Sequence, residues 1–431
     1  MRTSIYGWYV VTVLALANAI SFVDRLVLSL LVTPIKAELR LSDTQVSLLQ
    51  GFAFALFYCV AGVLLARLAD RTSRKWIVTA GITLWCLMTT LSGTARHYWQ
   101  LFLCRFGVGI GEGTLSPSAY SLIAGYFPRE RLSLAIGVFS IGITAGIGLA
   151  WLGGGAVIHW VSTRGVLDLP GLPPLEGWRL VFALLGALGL PVAALMLAVR
   201  EPPRLARSTP ARARDVLAQY RRHGRRYSYV MFGYGATSIT IYAVMTWSPT
   251  FYLRHYGATI TEAATALGLV ALVGGVIGGW FGGALADRLE QRGDAHAKVR
   301  VLHYSVIGLV LPAVVAPFMP TMQGSAFVLA FTFLFGAACT GPAGAFVQSI
   351  TPESMRAQFG AIYLLALTLV GATLGPLLTA LFTDYVFRDE ASLGKSLAAV
   401  SLAGNLLALW LVRQAWRTET TAVQSAVEPV A

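Results

Sequence analysis

The sequence predicts an all-α polytopic membrane protein with twelve transmembrane helices in two pseudo-symmetric six-helix bundles. Of its 431 residues, 56% are hydrophobic and only 12% are charged, and the mean hydropathy is +0.66. Apolar runs of about 20 residues recur along the whole chain, which is the length that an α-helix needs to cross a hydrocarbon layer. This composition excludes a soluble multidomain protein of the same length.

Short polar loops separate the apolar segments from one another. The predicted spans are residues 8–32, 44–66, 76–94, 99–126, 133–156, 178–199, 228–253, 262–286, 301–319, 324–350, 357–383 and 395–413. They divide the chain into an N-terminal bundle (1–199), a basic linker (200–227), a C-terminal bundle (228–413) and a tail (414–431). Each bundle therefore receives six spans.

The distribution of lysine and arginine predicts the orientation of the chain. With the N-terminus inside, 23 of the 33 Lys and Arg residues fall in cytoplasmic segments and 8 in external segments, while Arg25 and Arg105 lie within spans. Cytoplasmic loops of membrane proteins are enriched in these residues. Both termini are therefore expected in the cytoplasm. The net charge of +13 indicates contact with membrane lipids rather than with nucleic acid.

The linker carries nine arginines between residues 200 and 226, against only two acids, Glu201 and Asp215. Its stretch ARDVLAQYRR (213–222) has the pattern of a short amphipathic helix on the inner leaflet. A solvated loop that only sets the topology is the other interpretation, and the sequence leaves both open.

Two similar motifs occupy corresponding places in the two halves. ARLADRTSRK follows the second span, and GALADRLEQR follows the eighth. Their Asp-Arg pairs, Asp70-Arg71 and Asp287-Arg288, are 217 residues apart. Features repeated in this way indicate a duplicated bundle around a central pathway.

The first motif resembles the loop between spans 2 and 3 of the major facilitator superfamily, roughly G-x-L-A-D-R-x-G-R-R, with Ala66 and Ser73 in place of two glycines. The resemblance implies a cytoplasmic gate in which the aspartate caps a partner helix and is held by arginines, as carboxylates favour helix N-termini. The gate residues that it implies are Asp70, Arg71, Arg74, Arg131, Asp287 and Arg288. Loops that only determine topology are the alternative.

Three stretches of the first half indicate one particular branch of this superfamily. They are FVDR (22–25), IKAELRLSDTQVSLLQGFAF (35–54) and RFGVGIGEGTLSPSAYSLIAGYFP (105–128). All three are similar to the spinster-like branch of the superfamily. The resemblance implies a bacterial homologue in the inner membrane, with proton-linked secondary transport of an amphiphile of the lysolipid or sphingolipid-phosphate type.

Four charged residues lie well inside the predicted spans, namely Asp24, Arg25, Arg105 and Glu112. Charge at such depth is costly and marks a functional pathway by default. From the helical rise, Asp24 and Arg105 lie roughly 12 and 9 Å below the external surface and are expected to form an ion pair. Glu112 follows Arg105 by two turns, so it shares the same helix face and lies roughly 10 Å deeper.

Asp24, Arg105 and Glu112 together predict a proton relay. A guanidinium stabilises the ionised form of a neighbouring carboxylate, and arginine keeps its own charge. Movement of Arg105 between the two acids would therefore bind and release a proton in turn. A static network that holds spans 1 and 4 together is the alternative. For Arg25 the sequence leaves three roles open: a position near the membrane surface, another ion pair, or a contact with an anionic substrate.

The second half offers aromatic side chains rather than buried charges. The candidates for contact with the tail of an amphiphile are Tyr242, Trp247, Phe251, Phe331, Phe335, Phe359 and Tyr363. We expect Arg25, Arg105 and Glu112 of the first half to contact the polar head. For each aromatic residue alone, packing in the core or against lipid is the competing interpretation.

No cofactor or metal is expected. The four cysteines lie in apolar spans without CxxC spacing, and the six histidines lie in loops or near span ends without metal-ligand spacing. The glycine-rich RFGVGIGEG lacks the G-x-x-x-x-G-K-[ST] pattern of a nucleotide-binding loop. Glycines within a span favour close helix packing instead.

The sequence therefore predicts a monomeric, proton-coupled secondary transporter that moves an amphiphilic substrate by alternating access. A drug or organic-anion transporter of the same superfamily is the main alternative. A membrane-embedded enzyme would need a nucleophile with a base, paired acids or histidine ligands at membrane depth, and the sequence offers no such set. The two gate-like motifs argue against a non-transporting receptor.

Overall fold

A computed structural model describes residues 5–127, 129–164, 166–167, 175–202, 213–352 and 355–427 of the chain. Most residues in these ranges are helical, which confirms the predicted all-α class. Within the same ranges the strands Val166–Leu167 and Leu175–Glu176 form a two-stranded antiparallel pair.

Sixteen α-helices follow one another along the described chain. The first nine are α1 (Ile5–Leu30), α2 (Val32–Leu39), α3 (Asp43–Ser47), α4 (Ala53–Arg71), α5 (Arg74–Ser92), α6 (Tyr98–Gly113), α7 (Leu115–Tyr126), α8 (Arg129–Arg164) and α9 (Gly177–Leu197). The remaining seven are α10 (Ala213–Tyr256), α11 (Ile260–Gln291), α12 (Ala297–Val315), α13 (Met322–Ser349), α14 (Arg356–Thr368), α15 (Gly375–Leu381) and α16 (Leu393–Val427).

Short irregular turns interrupt or extend several of these helices. The π-helical turns are Leu48–Phe52, Leu369–Leu374 and Phe382–Phe387, and the 3₁₀ turns are Ala316–Phe318 and Glu390–Ser392. The first π-helical turn joins α3 to α4, so that the second predicted span is one bent helix. Such turns frequently occur at functional sites because they change the direction in which side chains point.

Nine helical segments in the described ranges are long and apolar enough to cross a membrane. The other three predicted spans, 76–94, 99–126 and 228–253, fall on α5, on α6 with α7, and on α10. The segment 99–126 consists of two helices because the chain is interrupted at Thr114, whose hydroxyl donates to the carbonyl oxygen of Gly111 at 2.8 Å. The total of twelve spans stays a prediction.

The chain forms two compact units. The first contains Met1–Leu205 and Ser248–Leu269, and the second contains Ala206–Trp247 and Val270–Ala431. The C-terminal end of α10 and the beginning of α11 therefore belong to the first unit. We refer to these as the first unit and the second unit.

In the first unit, α1 packs closely against α8. A Cβ atom on Gly146 would lie 2.6 Å from the carbonyl oxygen of Ala19, and one on Gly154 would lie 2.9 Å from Cγ2 of Val27. Larger residues at these positions would push the two helices apart, as expected for glycines at a helix–helix contact in a membrane. This packing fixes the rotation of α1 and therefore the directions of its buried charges.

The core of the second unit forms around Tyr227, which is fully buried. Its ring stacks on Phe359 at 4.2 Å between the ring centroids, and its hydroxyl donates to the carbonyl oxygen of Ile350 at 2.9 Å. The same side chain thus connects α10 with the end of α13 and with α14. These contacts hold the N-terminal part of α10 in the second unit.

Candidate functional site

The first ion pair of the site joins α1 to α6. Nη1 of Arg105 donates to Oδ1 of Asp24 at 3.2 Å, and the hydroxyl of Thr89 on α5 donates to Oδ2 of Asp24 at 2.5 Å. Arg105 is 0% exposed and Asp24 is 4% exposed. The structure therefore contains an ion pair where the helical depths predict one, and Thr89 satisfies the second carboxylate oxygen.

The second ion pair joins the same two helices through different residues. Nε of Arg25 donates to Oε2 of Glu112 at 2.6 Å, and the hydroxyl of Ser21 donates to the same oxygen at 2.6 Å. Nη2 of Arg25 also donates to Ser21 at 3.3 Å. Glu112 thus pairs with Arg25 in this structure, while Arg105 pairs with Asp24. The movement of Arg105 between the two acids stays a prediction.

Helix geometry explains these pairings. Adjacent residues of a helix point about 100° apart, so Asp24 and Arg25 contact different neighbours. Helical side chains also lean toward the N-terminus of their own helix, and the long Arg25 side chain extends back to Ser21, one turn earlier. At that level it meets Glu112. The sequence argument placed Arg105 and Glu112 on one face correctly, but their partners on α1 are different residues.

Three aromatic rings surround the guanidinium of Arg25. Its Cζ atom lies 4.8 Å from the ring centroid of Phe22, 4.5 Å from that of Phe54 and 4.8 Å from that of Tyr58. Each distance is within the range of a cation–π interaction. The rings therefore stabilise the positive charge of Arg25 independently of Glu112.

Several polar atoms of this network have no hydrogen-bond partner among the described residues. They are Nε and Nη2 of Arg105 and Oε1 of Glu112. A buried polar atom without a partner is costly in a medium of low polarity. Oε1 of Glu112 is therefore available to accept a proton, and Nε and Nη2 of Arg105 are available to donate to a further partner.

A small cavity adjoins Asp24. Its volume is about 10 Å³, which is at the lower limit for one water molecule. Asp24, Thr89 and the buried Trp85 line it together with apolar side chains of α1, α5 and α9. The indole N–H of Trp85 has no acceptor among the described residues. Asp24 thus lines a cavity that other polar groups also line, although its carboxylate is almost completely buried.

Gln50 is a candidate that the sequence reasoning missed. It lies in the π-helical turn Leu48–Phe52, and its amide nitrogen and oxygen are both buried without a partner in the described part of the chain. Phe54 and Tyr58, which follow Gln50 along the chain at intervals of four residues, both contact the guanidinium of Arg25. The sequence signal that could have identified Gln50 is a polar residue within an otherwise apolar predicted span.

A further cluster, also missed, surrounds Asp43 in the first unit. Nη1 and Nη2 of Arg254 donate to Oδ2 and Oδ1 of Asp43 at 2.7 and 2.8 Å, and Nζ of Lys36 donates to Oδ1 at 2.7 Å. Asp43 is 0% exposed. The sequence shows Asp43 only as the first residue after the helix cap Ser42, because its main partner lies 211 residues away.

The Asp43 cluster helps to attach residues 248–269 to the first unit. Close helix packing contributes as well. A Cβ atom on Gly155 would lie 2.7 Å from Cβ of Ala264, and one on Gly268 would lie 2.8 Å from Cγ of Leu152. A buried, bidentate ion pair and two glycine contacts together explain why this segment groups with α1–α9.

Of the predicted gate residues, Arg74 makes the most contacts. Its Nε donates to Oε1 of Glu201 at 2.6 Å, its Nη1 to the backbone oxygen of Ser121 at 3.0 Å, and its Nη2 to the backbone oxygen of Pro202 at 2.8 Å. Arg74 thus connects the beginning of α5 with α7 and with the segment after α9. All of these residues belong to the first unit.

Glu201 is the carboxylate that caps a helix here. It accepts hydrogen bonds from the backbone N–H groups of Arg74 and Lys75, the first residues of α5, at 3.3 and 3.0 Å. Burial alone would raise the pKa of Glu201, but the hydrogen bonds from Lys75, Arg74 and Ser73 outweigh it and lower the pKa below its usual value. The resemblance implied this capping role for Asp70, whose side chain, like that of Arg71, lies outside the described residues.

The remaining gate candidates are Arg131, Asp287 and Arg288, and all three are exposed. Asp287 and Arg288 lie in the last turns of α11. Neither forms an ion pair with another described residue. At the position that corresponds to Arg74, the second copy of the motif has Gln291, which is exposed.

The predicted aromatic residues occupy different environments. The buried Phe251 belongs to the first unit, and the others belong to the second. Trp247 is 0% exposed and donates its indole N–H to the carbonyl oxygen of Pro376 at 3.0 Å, which is a packing role. Phe335 lies against Gly308 of α12. Phe331 is 40% exposed and contacts Phe327 at 5.3 Å between centroids.

Tyr363 and Tyr242 lie beside Tyr234 and Gly371 in the second unit. The ring of Tyr363 stacks on Tyr234 at 6.0 Å between centroids, and its hydroxyl is buried without a partner among the described residues. Tyr242 lies beside Gly371, where an added Cβ would be 2.9 Å from its ring. Of the predicted aromatic residues, Tyr363 therefore has the clearest capacity to bind a polar ligand.

Comparison with known proteins agrees with this architecture. The sequence model of the Major Facilitator Superfamily matches residues 14–376. An MFS-type efflux pump of Mycolicibacterium smegmatis is 30% identical over 422 residues, which cover 96% of this chain and 94% of the pump. Protein spinster homolog 1 of Rattus norvegicus is 29% identical over 304 residues, which cover 65% of this chain and 55% of that protein.

One solved structure is similar over the full chain. It is a bacterial homologue of the human lysosomal transporter Spinster in an inward-facing, unoccupied conformation, with a TM-score of 0.81 and 25% identity. The similarity covers 99% of this chain and 100% of the other. The spinster homologue from rat is longer, and this chain spans about half of its length.

Proposed function

Because the chain belongs to the major facilitator superfamily, we propose that this spinster-like transporter is proton-coupled and moves an amphiphilic, lysolipid- or sphingolipid-like substrate by alternating access. One observation carries the proposal. Two buried acid–base pairs, Asp24–Arg105 and Arg25–Glu112, join α1 to α6 at membrane depth. Buried ionisable residues of this kind are typical of proton pathways in transporters.

In this mechanism Arg25 is the residue that changes its binding partner. The relay predicted from the sequence assigned that role to Arg105. Arg105 is enclosed, whereas the side chain of Arg25 is 17% exposed. A proton on Glu112 removes the negative charge that holds Arg25. The three aromatic rings around Arg25 still stabilise its charge, by about 0.5–2 kcal/mol each. The released guanidinium then binds an anionic group of the substrate, so that proton binding and substrate binding are linked.

The proposed substrate class rests on the chemistry around Arg25. Guanidinium groups bind phosphates and carboxylates through two parallel hydrogen bonds. The amide of Gln50, four residues before Phe54, offers a buried neutral donor and acceptor that have no partner among the described residues. Phe22, Phe54 and Tyr58 offer apolar surface next to this charge. A molecule with an anionic head and an apolar tail fits this combination.

A drug or organic-anion exporter is the second candidate. The similarity to the efflux pump of Mycolicibacterium smegmatis extends over 96% of this chain, whereas the similarity to the spinster homologue from rat extends over 65%. Both candidates use the same two ion pairs, so they differ only in the shape and polarity of the substrate.

Transport in reconstituted liposomes distinguishes the two candidates. We expect a lysophospholipid to be moved when a pH gradient is imposed, and a hydrophilic organic anion to be moved much more slowly. Glu112→Gln should abolish the effect of the pH gradient, whereas Glu262→Gln, which changes an exposed glutamate of α11, should leave it intact. Movement of only the hydrophilic anion would favour the exporter, and unchanged pH coupling in Glu112→Gln would contradict the proton mechanism.

The orientation and assembly of the protein complete the proposal. We place both termini in the cytoplasm of a bacterium, with the chain acting as a monomer in the inner membrane. Support comes from the distribution of 23 of the 33 Lys and Arg residues in segments on one predicted side. Reporter fusions at the two termini, one active only inside and one only outside the membrane, measure this orientation directly.

A further inference from the structure

The N-terminal part of α10 is a separate helical arm, residues 213–222. At His223 the backbone leaves the helical region, with φ −122° and ψ 20°. Across this kink the hydroxyl of Tyr220 lies 2.6 Å from Oγ of Ser228, and the ring of Tyr220 stacks on Tyr227 at 6.3 Å between centroids. Residues eight apart in a straight helix are separated by about 12 Å along the axis, so the arm is bent at His223.

One face of the arm packs against protein. Val216 and Tyr220 contact the buried core around Tyr227 in the second unit, and the amide of Gln219 donates to the hydroxyl of Tyr227 at 3.4 Å. Val216 and Tyr220 are therefore covered by the second unit, whereas Leu217 is 49% exposed. Insertion of Val216 and Tyr220 into lipid does not agree with these contacts.

The opposite face of the arm carries arginines. Its exposed residues are Arg214, Leu217, Ala218, Arg221, Arg222 and, just beyond the kink, Arg225. The intervals of three and four residues place those up to Arg222 on one side of the helix, and Arg225 is exposed beyond the kink. We call Arg214, Arg221, Arg222 and Arg225 the arginine stripe. In the described chain only Arg214 has an acidic neighbour, Asp215 at 3.6 Å.

The nearest other arginine, Arg226, is already occupied. Its Nε and Nη2 atoms donate to both carboxylate oxygens of Glu419 on α16 at 2.6–2.9 Å. Arg226 and Tyr227 therefore anchor the end of the arm to the second unit. Among the described acidic residues, only Asp215 pairs with an arginine of the stripe.

We propose that the arginine stripe binds the phosphate groups of anionic phospholipids at the surface of the membrane. The stripe ends two residues before Tyr227, where the buried part of α10 and the predicted span begin, so it lies within about 20 Å of the apolar layer along the helix. Clusters of four or more basic residues directly beside a span attract anionic lipid headgroups. Guanidinium groups bind phosphate through paired hydrogen bonds.

Lipid binding at this place would act on the second unit. The arm is joined to the core of that unit through Val216, Tyr220 and Tyr227, so a lipid that holds the arm also holds this end of α10. We therefore expect anionic lipids to stabilise the second unit and to raise the rate of transport. This proposal does not depend on which substrate is carried.

The test compares two triple variants with equal loss of charge. R221Q/R222Q/R225Q removes most of the stripe, and R292Q/R388Q/R413Q removes three exposed arginines elsewhere. Each purified protein is transferred to vesicles of phosphatidylcholine with or without phosphatidylglycerol, and bound lipids are counted by native mass spectrometry. We expect the stripe variant to lose affinity for phosphatidylglycerol on the order of tenfold or more, and the control to retain it.

Two further measurements show whether loss of folding or binding of free phosphate explains the result. R221K/R222K/R225K retains the charge without the paired hydrogen bonds, so it should bind phosphatidylglycerol more tightly than the glutamine variant and confirm that loss of folding is not the cause. Inorganic phosphate in solution should not displace the lipid at equal concentration. Unchanged lipid selectivity in R221Q/R222Q/R225Q, equal loss in the control variant, or displacement by inorganic phosphate would each overturn the proposal.

Discussion

The two units differ in the polar groups that join their buried helices. In the first unit, α1 and α6 carry two buried ion pairs, Asp24–Arg105 and Arg25–Glu112. In the second unit α10 and α16 are joined by neutral groups: the hydroxyl of Thr240 donates to Oδ1 of the fully buried Asn405 at 3.2 Å. Charged groups change their interactions when a proton binds, whereas neutral amides and hydroxyls do not titrate near neutral pH.

If transport is proton-coupled as proposed, this difference implies a division of labour. The first unit, with its buried ion pairs on α1 and α6, would respond to protons, and the second unit would supply a scaffold and apolar surface. Breaking one partner of a buried ion pair costs about 3–5 kcal/mol, whereas removing a neutral hydrogen bond costs about 1 kcal/mol. The comparison can therefore be tested by substitution in each unit.

The largest effect on stability is expected from Arg105→Met. This change leaves the carboxylate of Asp24 buried with only Thr89 as a donor, so the free energy of unfolding should fall by about 3–5 kcal/mol. Thermal unfolding in detergent, followed by the fluorescence of a thiol-reactive or tryptophan probe, measures the loss. The double variant Asp24→Asn with Arg105→Met should recover a large part of it, because the uncompensated charge is then removed. No recovery would indicate that Arg105 stabilises the unit through packing alone.

An intermediate effect is expected at the Asp43 cluster. Asp43→Asn leaves Lys36 and Arg254 without their carboxylate, so residues 248–269 should be held less tightly to the first unit. A double-mutant cycle with Arg254→Gln should give a coupling energy of about 1.5–3 kcal/mol, as for hydrogen bonds to charged groups. The rate of proteolysis in the loop at Gly257 provides an independent measurement. A coupling energy near zero would show that glycine packing, and not the ion pair, attaches this segment.

The smallest effect is expected from Thr240→Val in the second unit. It removes one neutral hydrogen bond to Asn405 and preserves the shape of the side chain, so unfolding should be easier by about 1 kcal/mol. The dependence of transport on the pH gradient should not change. A shifted pH dependence in this variant would contradict the division of labour, because it would connect the second unit to proton coupling.

Much of this protein follows from its sequence. The apolar runs give the helical class, the Lys and Arg distribution gives an expected orientation, and the motifs give the resemblance to the superfamily that the family match confirms. Asp24, Arg25, Arg105 and Glu112 are recognisable as one group because charge within an apolar span is costly in any arrangement. Local periodicity also places Arg105 and Glu112 correctly on one face of α6.

Only the tertiary structure decided which of these groups meet. The partner of Glu112 is Arg25 because a long side chain crosses one helical turn, which spacing along the chain does not show. Asp43 and Arg254 are 211 residues apart, and Glu201 reaches the start of α5 from beyond α9. Periodicity fixes the directions of side chains within one helix, but the contacts between helices depend on how all of them pack together. For the same reason, only the structure shows that Val216 and Tyr220 of the α10 arm pack against the core of the second unit while its arginines are exposed.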